Sequence, residues 1–154
     1  MYLRDFNTIV QVILDIKKFN LKTKMKSFFS AEAPKAIGPY SQAIQTGNLL
    51  YCSGQTPVDP VTMKIESPDI EGQTQRALKN LELVLIAAGL SLSDLVKVNV
   101  FITDMEHFPK MNAVYAKMLG DHRPARSTIA VKGLPYNALV EIECIAELKI
   151  DVII

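Results

Sequence analysis

Arg126 and Glu141 are the two residues whose types and spacing could do chemistry together. The segment Arg123-Pro-Ala-Arg126-Ser-Thr-Ile-Ala-Val131 places a guanidinium just before one strand, and the alternating run Val140-Glu-Ile-Glu-Cys-Ile-Ala146 puts a carboxylate at the start of the next. An arginine fork grips a carboxylate through two parallel charge-assisted hydrogen bonds. A nearby glutamate can position a water or take its proton. A fixed cation and a fixed base sharing one pocket would suit hydrolysis of a small carboxylate-bearing molecule. On residue types alone the plainer alternative is an Arg and a Glu on a solvated sheet edge. Glu143, two residues on, reads as a sheet-face carboxylate with a lysine partner.

These residues need a scaffold, and the chain is long enough for one domain. Its 154 residues, 49% hydrophobic and 21% charged, suffice for a single globular core. A formal net charge of +1 lacks the basic stripe that marks nucleic-acid binders. Cys52 and Cys144 lie in apolar, strand-like runs without metal-ligand spacing, so they read as reduced core or interface thiols. His107 and His122 are too few and too far from those cysteines for a zinc site. No metal is expected.

The patterning from Met25 onward predicts mixed α and β structure. Ser41 to Thr46 and Leu49 to Ser53 are short strands joined at Gly47-Asn48, a dipeptide suited to a tight hairpin. Thr56 to Pro68 contains Pro57, Pro60 and Pro68 and reads as an ordered loop. Ala77, Leu78, Leu81, Val84, Leu85 and Ala88 form one apolar stripe on a helix from about Ile70 to Ala88, stopped by Gly89. Leu95 to Thr103 alternates as a half-buried strand, with Val96, Val98, Val100 and Ile102 inward. A second helix runs from about Phe108 to Leu119 and stops at Gly120. Val140 to Ile150 alternates again, leaving Glu141, Glu143 and Ile145 on the opposite face. Two helices can cover one face of such a sheet, so the mixed face carrying Phe101 and Ile145 looks at water or at another subunit.

Residues 1–24 stand apart. Phe6, Ile9, Val10, Ile13 and Ile16 recur at helical spacing among Arg4, Lys17, Lys18, Lys22 and Lys24, giving an amphipathic basic segment. A targeting helix has this look, yet Asp5 and Asp15 are atypical of an organellar presequence. Three readings stay open for this extension: a presequence, a lineage-specific appendage, or an upstream reading of the start codon. The domain proper is taken as residues 25–154, with no run long enough to span a bilayer.

A series of motifs then falls in a characteristic order: Ala36-Ile-Gly-Pro-Tyr-Ser-Gln-Ala43, Tyr51-Cys-Ser-Gly-Gln-Thr-Pro-Val-Asp-Pro60, Asn99-Val-Phe-Ile-Thr-Asp104, Met111-Asn-Ala-Val-Tyr115, Arg123-Pro-Ala-Arg-Ser-Thr128, Leu134-Pro135 and Val140-Glu-Ile-Glu-Cys-Ile-Ala146. In order and approximate spacing they resemble the reactive intermediate deaminase A family, also called RidA or YjgF, from about Met25 to about Ile150. The resemblance implies a chorismate-mutase-like α+β fold, a mixed sheet with two helices on one face, assembled as a barrel-cored homotrimer with active sites between subunits. It implies hydrolytic deamination of 2-aminoacrylate, 2-iminopropanoate and related enamines and imines to 2-keto acids and ammonia, with no cofactor.

The resemblance also distributes roles. Arg126 matches the family arginine that clamps the substrate carboxylate, and Glu141 the glutamate that orients or deprotonates the attacking water. Tyr40 matches a tyrosine lining the cleft. Gly54 matches a glycine whose bare backbone admits the substrate, and Asn112 an asparagine near the pocket. Thr128 stands where some relatives carry cysteine, which argues for water attack without a thiol intermediate. Two other functions stay on the table: a noncatalytic carboxylate- or protein-binding trimer, and an endoribonuclease or translation inhibitor, a label that relatives carry. The expected location is the cytoplasm, or an organelle such as the mitochondrion if the extension is a presequence.

Overall fold

The computed structural model describes Val10 and residues 25–149. The amphipathic segment read at residues 1–24 lies, Val10 apart, outside the described residues, and so does Ile150. Six strands form one sheet: β1 (Lys26–Phe28), β2 (Ala43–Thr46), β3 (Leu49–Gln55), β4 (Leu95–Ile102), β5 (Ala125–Ala130) and β6 (Val140–Glu147). Two helices join them, α1 (Ile70–Ala87) and α2 (Phe108–Leu119). The strand order is β1-β2-β3-β6-β4-β5. Only β4 and β5 pair in parallel; the other neighbours are antiparallel.

This topology explains why both helices share a face. β3 and β4 are each antiparallel to β6, which lies between them, so they run in the same direction, and α1 is the crossover between them. α2 is the crossover from β4 to its parallel neighbour β5. Both crossovers step the same way across the sheet. Such connections are almost always right-handed, and that one handedness sends both helices to one side.

The covered face is the core. Leu50, Val98, Val100, Ile102, Val140 and Ile142 meet Ala77, Leu78, Leu81, Val84 and Leu85 of α1 and Met111 of α2, with each of these side chains fully buried. Cys52 and Cys144 sit directly opposite each other on β3 and β6, buried in this core as free thiols. The Cys52 thiol hydrogen-bonded to Cys144, together with burial, raises the Cys144 pKa and keeps that thiol protonated. They are therefore packing residues, as the apolar runs around them predict.

α1 begins at Asp69, whose carboxylate accepts a 2.7 Å hydrogen bond from the Gly72 amide. Its buried face also carries polar side chains that tie down loops. Asn80 Nδ2 donates to the carbonyls of Thr56 and Val58 at 3.0 and 2.8 Å, which pins the proline-rich loop to the helix. Gln73 Oε1 accepts from the Leu139 amide at 2.8 Å, just ahead of Glu141. Gln42 accepts from the Ser30 amide at 2.7 Å and donates to the Pro34 carbonyl at 3.0 Å, bracing the loop that leads to Tyr40.

Three features depart from the sequence reading. Val96 is not in the core: the β4–β6 register shifts between Leu95 and Lys97, so Leu95 turns inward and Val96 is left 45% exposed. β1 was not expected, because its three residues, Lys-Ser-Phe, are too few to show alternation. Arg126 lies within β5, second in the strand, rather than before it.

Candidate active site

The candidate residues fall into two groups. The first gathers around Glu141, at the start of β6. The β3–β6 register is irregular between Cys52 and Gln55, and this bulge holds Gly54 beneath the Glu141 side chain. A Cβ placed on Gly54 would lie 2.8 Å from Glu141 Cδ and 3.0 Å from its Cγ. Gly54 is thus bare to make room for the Glu141 carboxyl. Tyr40, Gly54, Thr56, Tyr136 and Glu141 line a cavity of about 300 Å³. Burial, and secondarily the charge of Glu143, raise the Glu141 pKa above the usual carboxylate value.

The second group surrounds Arg126. Its Nη2 donates to Asn112 Oδ1 at 2.7 Å, and its guanidinium lies 4.5 Å from the Tyr115 ring centroid and 5.8 Å from that of Phe108. A side chain stacked on one ring and anchored to one amide presents its remaining N–H donors in a fixed plane. Arg126, Asn112 and Tyr115 help to line a second cavity of about 370 Å³. Arg123 lines it too, and its Nη1 donates to the carbonyls of Gly120 and His122 at the end of α2. Thr128, two residues beyond Arg126, has a buried hydroxyl without a hydrogen-bond partner among the described residues, and so has Tyr115.

The two groups lie on opposite faces of the sheet. Arg126 is in register with Val98 and, through it, with Cys144, both buried against the helices. Glu141 is in register with Phe101 and, through it, with Ile129, which is 51% exposed on the open face. The separation is two strands across, about 10 Å, and three residues along, again about 10 Å. One chain therefore does not bring the cation and the carboxylate into one pocket, and a site using both would need a second subunit. The linear sequence cannot carry this fact, because sidedness depends on register as well as alternation.

Glu143 shares the open face with Glu141, but its partner is Asn99, whose Nδ2 donates to it at 2.8 Å, and not a lysine. Lys97, the nearest candidate on β4, donates to Ser127 instead. Tyr115 and Tyr136 line these two cavities without a role expected from the sequence. For Tyr115 a signal was present: Asn112 and Tyr115 stand three apart on α2, the spacing that places two side chains on one helix face. Tyr136 had none, since its place follows from a backbone conformation with no sequence mark.

A six-stranded mixed sheet with two helices on one face, an arginine braced on an edge strand and a glutamate set over a glycine define an α+β protein with two candidate binding cavities. Comparison with known proteins makes this specific. The family described as Endoribonuclease L-PSP matches residues 30–148, and the chain belongs to this family, the RidA/YjgF/RutC family. A RutC family protein of Pyrococcus horikoshii is 51% identical over 118 residues, covering 77% of this chain and 94% of that one. The chloroplastic Reactive Intermediate Deaminase A of Arabidopsis thaliana is 42% identical over 135 residues, 88% of this chain and 71% of that one. The Escherichia coli TdcF structure with bound serine superposes with a TM-score of 0.77 at 39% identity, covering 80% of this chain and 99% of TdcF. The fold is the YjgF fold, as expected, and the family includes reactive intermediate deaminases. Among the described residues no helix is long and apolar enough to cross a membrane.

Proposed function

We propose that the chain forms a homotrimer whose clefts join Tyr40, Gly54 and Glu141 of one protomer to Asn112, Arg126 and Thr128 of the next, and that this composite site hydrolyses 2-imino acids. The observation that carries the reading is the placement of a braced arginine and a raised-pKa glutamate on opposite faces of one sheet. Each is half of a hydrolytic site, and a rotational assembly sets one half against the other. The deaminase name borne by the Arabidopsis relative and the amino acid held by TdcF agree with this chemistry.

The reaction asks little of the protein. The Arg126 fork takes the substrate carboxylate and fixes the protonated imine carbon in the cleft. Water adds its oxygen to that carbon while Glu141 accepts the proton. Glu141 returns it to the nitrogen of the carbinolamine, and as the hydroxyl proton leaves, the C–N bond breaks to release ammonia, which departs as ammonium. In sum, R–C(=NH2+)–COO− and H2O become R–CO–COO− and NH4+, with no change of oxidation state. The ribonuclease description of the family gains no support from His122, whose Nε2 is held 2.8 Å from the Leu95 carbonyl.

Two inactive variants test the shared site. Arg126→Lys keeps charge but loses the planar fork, and turnover of imines is expected to fall roughly a hundredfold. Glu141→Gln keeps shape but cannot take a proton, and turnover should fall about 100-fold to 10,000-fold with keto-acid binding retained. Mixed in equal amounts, unfolded and refolded together, the two chains should regain about a quarter of wild-type turnover, because one cleft in four pairs an intact arginine with an intact glutamate. Mixing without recovery would mean the halves do not meet across subunits. Full turnover in either single variant would move the catalytic groups elsewhere, and a wild type that binds keto acids but hydrolyses no imine would favour the noncatalytic binding trimer.

A further inference from the structure

Resting on that reading, we infer that Tyr136 is a specificity-determining residue, and that it selects 2-imino acids with aromatic or bulky apolar side chains. Tyr136 and Asn137 both have left-handed backbones, with φ of 59° and 56°. Asn adopts this region readily; a bulky side chain such as Tyr does so only where its surroundings impose it. Here the imposition is visible. Pro135 precedes the turn, the Ala138 amide donates to the Pro135 carbonyl at 3.1 Å, and Gln73 of α1 holds the Leu139 amide at 2.8 Å.

The strain serves no packing purpose, because the Tyr136 side chain is not buried. It is 45% exposed and lines the Glu141 cavity together with Tyr40, 49% exposed, and Ile37, 66% exposed. Three large apolar side chains left open around one carboxylate, one of them on a strained backbone, make a built wall. The trigonal imine carbon has three substituents. With the carboxylate on Arg126 and the nitrogen and attacking water at Glu141, the side chain is left to face this wall. An aromatic or branched apolar group fills it, and a methyl group leaves it empty.

The experiment compares imines released from alanine, leucine and phenylalanine by an amino-acid oxidase, with kcat/KM measured for the wild type, Tyr136→Asn and Tyr136→Phe. Asn suits the left-handed backbone and removes the ring, so it separates the wall from the strain. The phenylalanine-to-alanine ratio of kcat/KM is expected to fall roughly tenfold or more in Tyr136→Asn, the discrimination an apolar pocket supplies, and to return in Tyr136→Phe. Should Tyr136→Asn fail to fold, Tyr136→Gly takes its place, and the relative inhibition by phenylpyruvate and pyruvate reads the same wall without turnover. An unchanged ratio in a folded variant, with the alanine-derived imine still hydrolysed, overturns this inference alone. A wild type that hydrolyses none of the three imines overturns the deaminase reading, and this inference with it.

Discussion

Glu141 is half-buried beside a second carboxylate, and both burial and the Glu143 charge make it harder to ionise. A base works only when deprotonated. The acid limb of kcat/KM should therefore lie above the ordinary carboxylate pKa, with activity lost as pH falls through the raised value. Glu143→Gln removes the like charge, eases ionisation of Glu141, and should shift that limb to lower pH while leaving turnover near neutrality little changed. Rate profiles of both proteins from acid to neutral pH would show this; a limb that stays in place would identify another group as the titrating base. Gly54 bears on the same carboxyl from below. Gly54→Ala would push the Glu141 side chain aside, and since a displacement of about 1 Å costs on the order of a hundredfold, turnover should drop by that scale with the circular-dichroism spectrum intact.

At the scale of elements, α1 does two jobs. Its stripe of Ala77, Leu78, Leu81, Val84 and Leu85 closes the core, and its buried amides hold the segments that reach the site. Asn80→Ala would strand the carbonyls of Thr56 and Val58 in the interior, at about 1–3 kcal/mol for each unsatisfied group. Asp69→Ala would remove the exposed N-cap of the same helix, for about 1 kcal/mol. Urea denaturation at one fixed protein concentration should rank Asn80→Ala as clearly the more damaging. Equal losses would mean that the loop does not depend on α1.

For the whole molecule, the open face is the determining feature. Phe101 and Ile145 sit there beside Lys97, Asn99 and Glu143, with no helix above them among the described residues. Trimer formation would cover this face and complete each cleft at once, so assembly and catalysis should share one concentration dependence. Sedimentation equilibrium and turnover per chain, both followed on dilution, are expected to fall together. A monomer that still hydrolyses imines would remove the need for a shared site.

The strand of Glu141, both helices, the proline-rich loop and the core stripe of α1 follow from residue periodicity and stop signals, which are local properties of the chain. The family likewise rests on motifs visible in order. The bulge that ejects Val96, the edge strand β1 and the partner of Glu143 were not legible, because each is set by which residues lie across from which in a folded sheet. The same holds for the site. Residue types name a cation and a base, and alternation gives each a face of its own strand. Only the pairing of β6 with β4 and β4 with β5 decides that those faces are opposite, because register is a long-range property that no local pattern encodes.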